Sequence, residues 1–320
     1  MMVELSSKEQ LNEFLDNFDI DENDPDILVK IAKKANLDLR NKNSLGKAKL
    51  FLYQKFLNEG KNKIANRWLK DSADDDYAPA CTLYGKQIYL SGKNKDLAFE
   101  KADNYLKKAR DLKFPFAFYV SAQIRFDKAD MRWDMLDMLN QGANLDCKHC
   151  CRELGYECMK KEDDPELLKQ AFALLSKAVY LGDHASAFNI GRILELGNEG
   201  MEIKQDLNGA LKYYKFAIDG DLKDEQTISA MHNLAAMAFN LDIDTGLKLD
   251  DAINLYKQAA ELGSYLSYES LGRIYLFGEG VKGEHVEKNI PEAIKWLTKA
   301  SQHDSPQAKK WLEEINKFYN

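Results

Sequence analysis

The sequence predicts an all-α fold, a solenoid of stacked helix pairs, on three observations. The first is an apolar motif in six copies: Ala, two residues, two large apolar residues, two residues, then Ala or Ser. The copies are Ala65-Trp68-Leu69-Ser72, Ala102-Tyr105-Leu106-Ala109, Ala171-Leu174-Leu175-Ala178, Ala210-Tyr213-Tyr214-Ala217, Ala252-Leu255-Tyr256-Ala259 and Ala293-Trp296-Leu297-Ala300. Spacings of 3, 4 and 7 put these residues on one face of a helix. The second observation is a Gly or Ala ahead of the motif: Tyr84-Gly85, Leu154-Gly155, Ile190-Gly191, Leu234-Ala235 and Leu271-Gly272. Glycine inside a helix costs about 1 kcal/mol relative to alanine. Its recurrence at one register predicts a neighbouring helix backbone crossing there. The third is the glycine turns Gly197-Asn198-Glu199-Gly200 and Gly278-Glu279-Gly280, which stand between two apolar helix faces.

The elements follow in chain order. Residues 1–40 carry an acidic N-terminal stretch, read as a helical cap or a partly disordered leader; Glu9–Phe18 and Asp26–Ala35 are its candidate helices. Residues 41–320 form the solenoid. Motif starts lie 37, 69, 39, 42 and 41 residues apart, so the gap of 69 holds two periods. A degenerate copy falls there, around Met131-Trp133-Met135-Leu136-Leu139. Gly60, Gly92, Gly182, Gly220 and Gly263 fall at expected helix C-termini, where a left-handed residue is often needed. The links 240–248 and 281–289 are longer and read as loops on one face. Pro306 to Tyr319 is a single C-terminal capping helix with Trp311, Leu312, Ile315 and Phe318 on one side.

Composition narrows the function class. A net charge of −7 over 320 residues argues against a general polyanion binder. Residues 1–30 hold nine acidic side chains against two lysines, which accounts for the whole net charge. The start lacks the basic and apolar regions of a secretory signal, and no run of about 18 apolar residues exists to span a membrane. The expectation is a cytoplasmic protein with reduced thiols.

On these residues the chain resembles the Sel-one-like repeat family, relatives of the tetratricopeptide repeats. The family's unit reads Ala-x-x-x-Leu-Gly-x-x-Tyr-x-x-Gly-x-Gly-Val, then Lys-Ala-x-x-Trp-Tyr-x-x-Ala-Ala-x-x-Gly. Here Leu271-Gly272, Tyr275, Gly278, Gly280-Val281, Ala293, Trp296-Leu297 and Ala300 fit it. So does Ala252 to Gly263 in its second half. The match is good over 147–302, fair over 45–115, and poor over 116–145 and before 40. Only two repeats keep the glycine turn, so the other turns must differ in geometry.

The resemblance implies a right-handed superhelix of antiparallel helix pairs that acts as an adaptor or scaffold, with no active site and no cofactor. It implies a partner peptide or helix held in the concave groove. The exposed positions carried over are Lys86 and Tyr89, Arg152 and Tyr156, Arg192 and Glu195, His232 and Phe239, and Glu269 and Arg273. Arg192 and Arg273 share one repeat position and would clamp an acidic or carboxylate ligand, unless they belong to a solvated charged face. An assembly factor or chaperone-like helper is an alternative role.

A second alternative lies in Cys147-Lys148-His149-Cys150-Cys151 with Cys158, which could hold a metal or a reactive thiol. The repeat register favours core thiols instead, because Cys81 and Cys151 both stand four residues before the Gly. A disulfide between Cys150 and Cys158 would have to span about 12 Å of helix, beyond the reach of a bridge. The five histidines show no metal spacing, and no nucleophile or phosphate-loop motif occurs. No nucleic-acid partner is expected, because no basic stripe accompanies the aromatic residues. Asp74-Asp75-Asp76 and Glu162-Asp163-Asp164 read as turns and helix starts.

Overall fold

The structure, a computed structural model, describes residues 26–126, 129–161, 163–220, 224–240, 244–281 and 283–319. The Glu9–Phe18 helix expected from the sequence lies outside them. The chain divides into two compact units, Met1–Leu154 and Gly155–Asn320.

In the first unit the described helices are α1 (Ile27–Lys34), α2 (Lys42–Asn58), α3 (Asn62–Asp74), α4 (Ala78–Ser91), α5 (Lys95–Asp111), α6 (Pro115–Phe126), α7 (Arg132–Asn144) and the start of α8 (Lys148–Met159). Here α2 packs on α3, α4 on α5 and α6 on α7, and each pair abuts the next. The second unit takes the rest of α8, then α9 (Pro165–Tyr180), α10 (His184–Leu196), α11 (Leu207–Ile218), α12 (Glu225–Asn240), α13 (Leu249–Glu261), α14 (Tyr265–Phe277), α15 (Ile290–Gln302) and α16 (Pro306–Tyr319). Its pairs are α10–α11, α12–α13 and α14–α15, with α16 covering α15. The fold is the all-α solenoid of helix pairs that the motif predicts.

In each unit the core is a set of small clusters between neighbouring helices, as expected where each repeat touches only its neighbours. The motif's second large residue, the anchor, sits in five of these clusters, as Leu69, Leu106, Tyr214, Tyr256 and Leu297. Leu69, Leu106, Leu175, Tyr214, Tyr256 and Leu297 are at most 1% exposed. Each such side chain contributes roughly 1.5–3 kcal/mol on burial. The first large residue of the doublet stays half-buried at Trp68, Tyr105, Leu174, Tyr213 and Leu255.

The recurring glycine is explained by this anchor. A Cβ at Gly85 would meet Leu106 Cγ at 3.0 Å, one at Gly155 would meet Leu175 Cγ at 3.0 Å, and one at Gly272 would meet Leu297 Cδ2 at 2.5 Å. At Gly191 the obstacle is the Tyr214 ring, at 2.7 Å. The paired helix crosses close by, as expected: its buried side chain fills the space, and its backbone lies just behind at three of the four, with Ala102 O 3.1 Å from a Cβ at Gly85, Leu297 N 3.3 Å at Gly272 and Ala171 O 3.4 Å at Gly155.

Two helix-end glycines also differ from expectation. Gly92 has φ −70° and Gly220 is not left-handed, unlike Gly60, Gly182 and Gly263. Both are small because neighbours crowd them: a Cβ would meet Ala98 Cβ at 2.3 Å from Gly92, and the His184 ring at 2.9 Å from Gly220. Left-handed positions also fall on Asn36, Asp76, Lys113, Asp146 and Asp304, which gives the acidic repeat boundaries a conformational role. The two glycine turns fold into short antiparallel ribbons. Gly280–Val281 (β1) pairs with Glu284–His285 (β2), and Asn198 bridges Ile203.

Candidate functional site: the exposed side of the first helices

In each repeat the first helix carries the centre Gly or Ala, and the same registers recur on either side of it. In the first unit, Lys86 is half-buried on α4 and lines an open groove of about 450 Å³ with Tyr53, Leu83, Gln87 and Leu90. Tyr89, expected to be exposed, is instead buried among Leu106, Val120 and Ile124, with Lys95 Nζ 4.8 Å from its ring centre. Arg152 pairs with Glu153 at 3.1 Å.

The second unit brings the other predicted residues into hydrogen-bonded ties between helices. The Tyr156 hydroxyl accepts from Asn189 Nδ2 at 3.0 Å. Glu195 accepts from the Tyr214 hydroxyl at 2.5 Å, and that hydroxyl accepts from Asn233 at 3.0 Å. His232 Nδ1 lies 3.0 Å from Ser267 Oγ, and Glu269 accepts from Ser305 Oγ at 2.6 Å. Burial, helped by the positive charge of Arg273, lowers the His232 pKa to about 4, so its imidazole is neutral at physiological pH. Phe239 is half-buried, 5.9 Å from the Tyr256 ring. Arg273 meets the Glu279 carboxylate at 3.2 Å, whereas Arg192 is exposed, 6.0 Å from the Phe188 ring. Asn198 takes the place of Glu279 in the Arg192 repeat, so the residue after the first glycine of that turn is an amide.

A further register carries large exposed side chains that sequence reasoning passed over. Leu90, Leu196 and Phe277 stand five residues after Gly85, Gly191 and Gly272 and are 65%, 70% and 48% exposed. Each lies one helical turn beyond a cation, giving the pairs Lys86–Leu90, Arg192–Leu196 and Arg273–Phe277. Their shared distance from the glycine was the available signal. It was missed because large apolar residues in a repeat are first assigned to the core.

Among the described residues no three His, Cys, Asp or Glu side chains converge as a metal site requires, and no helix is long and apolar enough to cross a membrane. All five cysteines are buried. Cys81 and Cys151, at one repeat register, direct Sγ to the carbonyls of Ala73 and Ala143, at 3.2 and 4.0 Å.

The Sel1 repeat pattern matches residues 78–114, 149–183, 184–222, 228–264 and 267–305, more than half of the sequence. The chain belongs to the Sel1 repeat family. Membership points to a protein–protein interaction scaffold. The fold is also that of the crystal structure of a Sel1 repeat protein from Oxalobacter formigenes, at 22% identity and a TM-score of 0.61, covering 79% of this chain and 99% of the other. A sel1 repeat protein from Klebsiella pneumoniae shares 19% identity over 63% of this chain and 93% of its own, with a TM-score of 0.37, too loose an overlay to add to that. No curated protein matches the chain. The Sel1 repeats leave out 115–148, the stretch containing α6 and α7.

Proposed function

We propose that this Sel1 repeat protein is a non-enzymatic adaptor that binds an acidic, amphipathic peptide or helix along the exposed side of its first helices. The carrying observation is the repeated pair of a cation and, one turn on, a large exposed apolar residue: Lys86–Leu90, Arg192–Leu196 and Arg273–Phe277. A ligand alternating carboxylates with apolar side chains matches both parts of the pair, with the apolar residues burying area and the cations fixing register. Arg192 is the first choice for ligand contact, because Arg273 already holds Glu279. Glu195, His232 and Glu269 serve the face by tying neighbouring helices together.

The test is affinity capture with the full chain followed by mass spectrometry, repeated with Arg192→Ala/Leu196→Ser and with Leu90→Ser. Loss of a specific partner by about tenfold or more, with helix content unchanged, is the expected outcome for at least one variant. A partner retained at full yield by every variant, or one whose binding segment is basic, overturns this reading.

A further inference from the structure

Three of the five cysteines are not accounted for by the carbonyl contacts of Cys81 and Cys151, and two of them, Cys147 and Cys150, stand at the start of α8. Cys147 is the N-cap of α8: its carbonyl accepts from Cys151 N at 3.0 Å, the first bond of the helix. Cys150 is the third residue inside. The same two registers in other repeats show what side chains do there. At α10 Asp183 accepts from Ser186 N at 2.8 Å. At α14 Ser264 accepts from Ser267 N at 3.3 Å, and the two hydroxyl oxygens lie 3.0 Å apart. This cap position therefore receives a backbone N–H and brings the two side-chain heteroatoms into contact. In α8 both heteroatoms at these registers are sulfur.

Three features suit the pair to exchange chemistry. Residues three apart at a helix start have Cα atoms about 5–5.5 Å apart, inside the range a disulfide spans. Cys147 is 5% exposed and Cys150 is fully covered, so Cys147 is the outer residue of the pair and Cys150 the inner one. Gly142 leaves the space that Cys150 Sγ fills, since a Cβ there would meet that sulfur at 2.3 Å. The electrostatics agree. The Cys150 thiol, then the backbone N–H groups of Cys150 and His149, outweigh burial and lower the Cys147 pKa to about 7. Cys150 is pushed upward by its hydrogen bond to Cys147 and by burial.

We propose that Cys147 and Cys150 form a redox-active dithiol that exchanges with low-molecular-weight disulfides such as glutathione disulfide. The Cys147 thiolate attacks one sulfur of the disulfide, breaks its S–S bond and releases one thiolate. Cys150 then loses its proton and attacks the Cys147 sulfur of the mixed disulfide. The second thiolate leaves and takes up that proton. Two electrons pass from the protein to the small disulfide, leaving a Cys147–Cys150 bond and two small thiols.

The experiment equilibrates the full chain in graded mixtures of reduced and oxidised glutathione, alkylates the free thiols and maps them after trypsin digestion. Cleavage after Lys148 separates Cys147 from Cys150, so a linked pair of peptides reports the disulfide. The expected result is one linked pair, fully reversed by dithiothreitol and unchanged in Cys151→Ser. Cys150→Ser is expected to stop at a glutathione adduct on Cys147. This variant is tolerated because Ser186 and Ser267 occupy the same register. In the native state Cys147 is expected to alkylate about tenfold or more faster than Cys81, whose thiol burial pushes up to about 11. No linked pair at any poise, a pair lost with Cys151→Ser, or equal alkylation of Cys147 and Cys81 overturns the proposal.

Discussion

The α14–α15 repeat and the α6–α7 repeat solve one packing problem with opposite residues. In α14–α15 the centre position is Gly272, the anchor is Leu297 and the outer positions are Ala293 and Ala300, all fully buried. In α6–α7 Ala122 takes the centre and Leu139 the anchor, while Met135 replaces the first outer alanine and Gly142 the second. Volume added at one end of α7 is removed at the other, where Cys150 Sγ and Phe118 fill the space over Gly142. Charge is handled differently as well. Arg273 reaches the half-exposed Glu279, but Arg125 of α6 is buried and shares Asp103 Oδ1 with Arg110, each nitrogen at 3.0 Å. A repeat can thus keep its geometry while losing the residues by which it is recognised.

The largest effect expected on this comparison is at the anchors. Leu297→Ala should cost about 3–4 kcal/mol, because backbone lies directly behind Gly272 and the cavity cannot close. Leu139→Ala should cost less, about 2 kcal/mol, since Met135 and Met138 are flexible enough to move into the gap. Hydrogen exchange read helix by helix is the right measurement, as a repeat array need not unfold in one step. Equal losses of protection in α15 and α7 would show that the third repeat is as rigid as the last.

Next in size is the buried charge cluster. Burial opposes ionisation of Asp103, but the hydrogen bonds and charges of Arg110 and Arg125 outweigh it and hold its carboxyl below the usual carboxylate range. A depressed folded pKa gives stability that is fully present above the unfolded value of about 3.9 and is lost as pH falls through the folded one. Asp103→Asn leaves the buried Arg125 and the half-buried Arg110 without this counter-charge and should cost about 3 kcal/mol at neutral pH. The same variant should lose less than the parent between neutral pH and about pH 3. An unchanged acid profile would mean that another carboxylate carries the pair.

The helix pairs, their anchors and the capping helix Pro306–Tyr319 were legible in the sequence because burial imposes the 3-4-7 spacing on every regular repeat. The third repeat was legible only as a length. Its true register, Met135-Met138-Leu139-Gly142, exchanges large for small residues, and the buried Arg125 breaks the apolar pattern. The candidate face was half legible. Glycine spacing located Lys86, Arg192 and Arg273, but not that Glu279 answers Arg273, whereas Asn198 stands at the matching position after Arg192. Nor could spacing separate the carbonyl-capping Cys81 and Cys151 from the paired Cys147 and Cys150, because that distinction depends on where α8 begins.

The smallest effect falls where that beginning meets α7. Gly142→Ala improves helix propensity by up to about 1 kcal/mol, yet its Cβ would meet Cys150 Sγ at 2.3 Å and Phe118 Cβ at 2.9 Å. Overpacking of this kind costs about 1–3 kcal/mol, so a net loss of about 1 kcal/mol is expected. If the sulfur is the main obstacle, Cys150→Ala in the same chain should recover most of that loss, because it empties the space the new methyl needs. The two changes would then be strongly non-additive, as contacting residues usually are. Additive losses would place the obstacle at Phe118. The third repeat's compensation would then rest on an aromatic contact between α6 and α7, with the thiol free to leave its pocket over Gly142.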